Sequence, residues 1–205
     1  MDYNTAKQIM NENFIGYEEL LAISEKLNIS ISKDWIDSKS KIPFEEKYLR
    51  SVSKSHLLIL FIPYNKNNEF ITLIKLRNFF GLDPEIKQPC FYNQDWYINE
   101  PFAKFCFKQE QWFCIRKEVL TESRGKVVKE DKNLPHALIC AYTFFAAYFI
   151  TNKYLWKNDY IWCKDLDSNG DRIYVGRYLD PNAKAKNGFS IHRHLSISRI
   201  YGSIC

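Results

Sequence analysis

His192 and His194 stand two residues apart near the carboxy end of the chain. On a strand that spacing puts both imidazoles on one face, their Cβ atoms roughly 7 Å apart. Such a pair would work as general acid and base near neutrality, or would supply two ligands to a metal ion. Upstream, Asp165-Leu166-Asp167-Ser168-Asn169-Gly170 opens like a calcium loop, with side-chain oxygens of Asp165, Asp167 and Asn169 at its first, third and fifth positions. The twelfth position falls on Gly176, which has no ligand to give, and Asp180 would replace it only if the hairpin folded back. A polar hairpin turn is therefore the better account of the loop. Taken together, the histidine pair and Asp165 or Asp167 define a metal-assisted hydrolase reading, with a divalent metal as its cofactor. An isolated H-x-H carries little specificity, and imidazoles bonded to the neighbouring serines are the plainer expectation.

Charge gives a second reading. The chain has 29 Lys and Arg against 24 Asp and Glu, a formal +5. From Pro181 to Cys205 it has Lys184, Lys186, Arg193 and Arg199 and no acidic residue, so most of the excess lies in that stretch. Positive charge gathered beside a polar strand face suits phosphates, and Tyr174, Tyr178 and Tyr201 would stack on unpaired bases. A DNA- or RNA-binding protein is the leading expectation. The alternative is a non-catalytic interaction or structural module, with a protein partner or a second copy as its target. Its surface would come from the aromatic segment Pro89 to Phe107, with Phe91, Tyr92, Trp96, Tyr97, Phe102, Phe105 and Phe107. That segment reads more simply as loop-rich core. Two further motifs are weak. Glu45-Glu46-Lys47 has the E-x-K of restriction-type nucleases but begins a helix, and Ser123-Arg124-Gly125-Lys126 lacks the full P-loop pattern and reads as linker.

The elements that must position these groups follow from periodicity and punctuation. Residues 4–12, 17–27 and 44–54 read as helices. Leu57 to Ile62, wholly apolar and stopped by Pro63, reads as a buried central strand. Thr72 caps a helix that runs to Phe80 and stops at Gly81. Gln111 to Leu120 reads as a strand, and residues 135–151 as a buried helix. Tyr160–Cys163 and Arg172–Val175 form a hairpin with Asn-Gly at its tip. Phe189 to Ser198 alternates apolar and polar residues, so one face is expected to be buried and the other, with both histidines, wet. The fold expected is α+β in a single domain: a helical part to residue 55, then a mostly antiparallel or mixed sheet with one buried apolar helix.

Composition bounds the rest. Five Trp, 13 Tyr and 15 Phe exclude a disordered chain. The apolar run Ala137 to Ile150 is shorter than the roughly 20 residues of a membrane span. No secretory signal opens the chain, so the six cysteines are expected to be reduced core thiols and the protein cytoplasmic.

Cys90 to Tyr97, Ile115-Arg116-Lys117, Asp165 to Tyr178 and Gly188 to Leu195 resemble a group of uncharacterised bacterial proteins over nearly the full length. That resemblance implies one domain and adds nothing about function. Tyr160-Ile161-Trp162 with Tyr174-Val175-Gly176-Arg177 is similar to the paired tyrosine strands of GIY-YIG nucleases, with Arg193 and His194 downstream. Asp159 replaces the first glycine of that motif, and no acidic residue follows Asp180 to hold the metal.

Overall fold

The computed structural model describes residues 1–32, 41–126, 133–179, 187–193 and 199–205. They form an α+β fold with two mixed sheets and divide into two compact units.

The first unit holds residues 1–71 and 107–117. Asp2 caps helix α1 (Tyr3–Met10) by accepting the Thr5 N–H at 2.9 Å, and Tyr3, Ala6 and Met10 form its buried stripe. Strand β1 (Phe14–Ile15) follows, so the segment up to residue 55 is not helical alone. The helix expected over 17–27 is broken at Ile23 into α2 (Tyr17–Ala22) and α3 (Ser24–Leu27). Gly16 precedes α2 because a Cβ there would lie 2.3 Å from the Tyr3 hydroxyl. After α4 (Glu46–Val52) comes β2 (His56–Phe61), buried from Leu57 onward. It is the centre of a three-stranded sheet, parallel to β1 and antiparallel to β3 (Gln111–Arg116).

The second unit holds residues 72–106 and 118–205. Helix α5 (Leu73–Phe80) has the expected ends: Thr72 Oγ1 accepts the Lys75 N–H at 3.2 Å, and Gly81 stops it at φ +77°. A single turn, α6 (Pro101–Lys104), has proline at its start. Helix α7 (Ala137–Thr151) is buried without interruption from Ala137 to Ala147. It is apolar on every side because neighbours cover every side: Phe145 stacks on Phe80 at 3.8 Å, and the helix packs on the second sheet. Among the described residues no helix is long and apolar enough to cross a membrane.

The second sheet contains β4 (Tyr160–Leu166), β5 (Arg172–Gly176), β6 (Ser190–His192) and β7 (Tyr201–Gly202), in the order β6-β5-β4-β7. β7 runs parallel to β4; the other pairs are antiparallel. Strand alternation sends Ile161, Cys163, Ile173, Val175 and Ile191 to one face, all fully buried. Tyr160, Trp162, Tyr174, His192 and Tyr201 point to the other. Of the strand expected over 189–198, β6 (Ser190–His192) is the described part, and residues 194–198 lie outside the described residues.

Candidate functional site

The aromatic face of the second sheet brings together residues from all four of its strands. The register sets Trp162 opposite Tyr174, Tyr174 opposite His192, and Tyr160 opposite Tyr201. Their rings fill the space between them. Tyr160 stacks on Tyr201 at 5.2 Å, Trp162 meets Tyr174 edge-on at 4.9 Å, and His192 meets Tyr160 edge-on at 5.2 Å. Tyr174 is 2% exposed, Tyr201 5% and Tyr160 6%. These rings are core, so the expectation that Tyr174 and Tyr201 stack on bases is corrected: no ring face is open to receive one.

The face is not wet either. Ser190 is buried and His192 largely so. Gln94 Nε2 donates to His192 Nε2 at 3.1 Å, and Gln94 Oε1 accepts the Ile191 N–H at 3.4 Å. Burial, with the charge of Arg177 second, pushes the imidazole of His192 down to about 4. It is neutral at physiological pH and holds a structural hydrogen bond, which removes the reason for assigning it acid–base work. Its expected companion His194 lies outside the described residues, as do Lys184, Lys186 and Asp180.

Arg193 falls on the apolar side of the alternation, where a charge needs a carboxylate, and it has one. Its guanidinium donates to Asp167 Oδ2 at 2.5 Å, lies 3.7 Å from Glu100 and sits 4.5 Å over the Trp96 ring. A charge with two carboxylates and an aromatic ring around it is spent within the fold and is not offered to phosphate. Asp167 uses its other oxygen to accept the N–H groups of Asn169 and Asp171, at 2.9 and 2.8 Å, closing the hairpin turn.

Asp165 faces the other way. It bonds His136 Nδ1 at 2.8 Å and the Ala137 N–H at 2.6 Å, at the start of α7, where a carboxylate is favoured. The loop carboxylates are therefore occupied by separate structural bonds and do not converge with Asn169 on a cation. Among the described residues no three His, Cys, Asp or Glu side chains stand together as a metal site.

The remaining expectations resolve similarly. Phe91, Tyr97 and Phe102 are buried and Tyr92, Trp96, Phe105 and Phe107 partly so, and Trp96 Nε1 donates to the Ile191 carbonyl at 3.1 Å, so this part of the segment packs against β6. Large exposed apolar residues, such as Leu21, Tyr48, Phe70, Ile86 and Leu166, occur singly along the chain. Glu46 pairs with Arg50 one helical turn on. Arg124, read as linker, is fixed by Asp159 at 2.5 and 2.9 Å. The cysteines are free thiols, with Cys90, Cys140 and Cys163 buried as expected; Cys106 and Cys114 are only partly buried and Cys205 is exposed.

What the sequence did not single out lies at the end of β5. Six non-glycine residues among those described have positive φ. Four are asparagines, which tolerate that region. The other two, Trp156 (φ +45°) and Arg177 (φ +41°), touch: the Arg177 N–H is shared between the carbonyls of Trp156 and Asp159 at 3.1 and 2.8 Å. Gly176 immediately before has φ +125°, and a Cβ there would meet the Asp159 carbonyl at 2.5 Å. This strained exit directs Arg177 over the edge of the tyrosine cluster, 6.0 Å from the Tyr160 ring. Asp159 joins two arginines directly and a third through Arg124. Its carboxylate takes Arg124, whose guanidinium also donates to the Arg199 carbonyl at 3.0 Å, and its own carbonyl takes the Arg177 N–H. Asp159 neutralises Arg124, while the half-buried Arg177 and the exposed Arg199 have no carboxylate partner among the described residues. The glycine beside Arg177 was the one sequence signal for this turn. Comparison of the chain with protein-family models, with curated proteins and with solved structures finds no match.

Proposed function

We propose that the protein binds nucleic acid through a cationic rim made by Arg177 and Arg199 beside the tyrosine cluster. The observation that carries this reading is the strained Arg177, whose guanidinium has no carboxylate partner among the described residues. An arginine held at positive φ costs roughly 1 kcal/mol or more, and a guanidinium kept without a carboxylate is ready for an external anion. The rim replaces Arg193 and the tyrosines as the contact surface. Of the cations expected in the terminal segment, Arg199 belongs to this rim and Arg193 does not, while Lys184 and Lys186 lie outside the described residues.

Fluorescence anisotropy with single- and double-stranded oligonucleotides of DNA and RNA at about 50 and 200 mM salt tests the proposal. Two phosphate contacts give a slope of log affinity against log salt near −1.4 on single strands and about −1.8 on duplex DNA. The double variant Arg177→Ala, Arg199→Ala should flatten that slope. An absence of binding at the lower salt refutes the proposal, and so does binding unchanged by the double variant.

A further inference from the structure

We infer that the first unit has an anion site of its own, where Arg116 faces His56 at the end of the β2–β3 pair with Ser55 and Lys117 beside them, and that its ligand is a phosphate dianion, free or as a monoester. The register sets Arg116 directly opposite His56, so the two side chains share a face with Cβ atoms about 5 Å apart. The Lys117 N–H, donating to the Ser55 carbonyl at 2.9 Å, closes the next rung. Basic groups so placed repel one another, and among the described residues neither Arg116 nor Lys117 has a carboxylate partner. The Arg116 Nε–H is buried and meets no acceptor. A buried guanidinium N–H without an acceptor is destabilising, and an oxyanion is the partner that fits its fork. His56 answers its neighbours by staying neutral: burial, then the charge of Arg116 and that of Lys117, hold its imidazole below the ordinary value. Its Nδ1 is bonded to Ser55 Oγ at 2.8 Å. When that hydroxyl donates, Nε2 carries the ring proton and becomes a donor to an anion. Lys117 is aimed by Asn13, whose Oδ1 accepts from Nζ at 2.9 Å while its Nδ2 donates to the Ser53 carbonyl at 2.7 Å. That bond uses one of three ammonium protons. The paired charges of Arg116 and Lys117 are balanced by a doubly charged phosphate, and not by a singly charged phosphodiester.

The experiment follows the His56 ring signal by NMR in the full chain, at constant ionic strength, as inorganic phosphate replaces chloride up to about 50 mM. A saturable shift is expected, with the midpoint of the ring's titration raised by about one unit, because a bound dianion favours the protonated ring. Arg116→Gln, which removes the orphaned N–H, and Lys117→Gln should each weaken binding by about tenfold or more. Thymidine 5′-monophosphate and oligothymidylate with a 5′-hydroxyl are the other two arms. Tighter binding of the monophosphate than of inorganic phosphate assigns a monoester, equal or weaker binding assigns the free ion, and either supports the site. The inference is overturned by the lack of a saturable shift with both, by an affinity unchanged in either variant, or by an equal shift from the diester strand at the same phosphate concentration.

Discussion

Replacing His192 by glutamine should remove a pH dependence whose size follows from the ring's surroundings. The imidazole lies among Tyr160, Gln94 and Arg177, and its basicity falls from 6.5 to about 4. In the unfolded chain the ring takes a proton near pH 6.5, whereas in the folded chain it resists until about pH 4. Between those values the unfolded state binds more protons, so stability declines as pH falls through the window and is fully retained above it. At about 1.4 kcal/mol per unit the whole shift corresponds to about 3 kcal/mol, of which about 2 kcal/mol is lost between pH 7 and pH 5. Urea unfolding of the wild type and of His192→Gln at those two pH values measures it. Carboxylates titrate alike in both proteins and cancel in the difference. The wild type should lose about 2 kcal/mol more than the variant. Equal losses would refute the argument, as would a His192 ring proton titrating near 6.5 by NMR.

Three other outcomes are expected. Arg177→Gly should be about 1 kcal/mol more stable than Arg177→Ala by thermal melting, because glycine relieves the positive φ, yet bind polyanions no better than alanine does. Asp167→Asn leaves Arg193 without its closest carboxylate and should cost about 3 kcal/mol in a urea titration. Gly176→Ala drives a Cβ into the Asp159 carbonyl and should lower stability by about 2 kcal/mol or more, with loss of the Arg177 position visible as reduced binding.

The parts of the fold that were legible are those decided within a few residues. Thr72 and Gly81 bracket α5 because capping and left-handed termination are local chemistry. Leu57 to Phe61 forms a central strand because no other element buries a short run on both faces. The apolar length of α7 announced its burial. What escaped depends on partners distant in sequence. The alternation Ser190, His192 defines a sheet face correctly, but nothing in it tells whether that face meets water or tyrosines from β4 and β7. Asp165 and Asp167 look like two ligands of one loop, and only the positions of Ala137 and Arg193 send them in opposite directions. Arg177 was invisible as a special residue because its type gives no sign of positive φ; the turn that imposes it is closed by carbonyls some 20 residues upstream.

The burial of α7 bears on how the chain must be made. Residues 137–151 emerge from the ribosome before β4, β5, β6 and β7, the strands of the sheet against which the helix packs. Until that sheet is synthesised, a largely apolar cylinder with no charged residue has no cover from it, the condition under which nascent chains recruit holdase chaperones or clump together. A stop codon shortly after Thr151 would make that interval permanent, and the truncated product should partition into inclusion bodies to a greater extent than the whole chain.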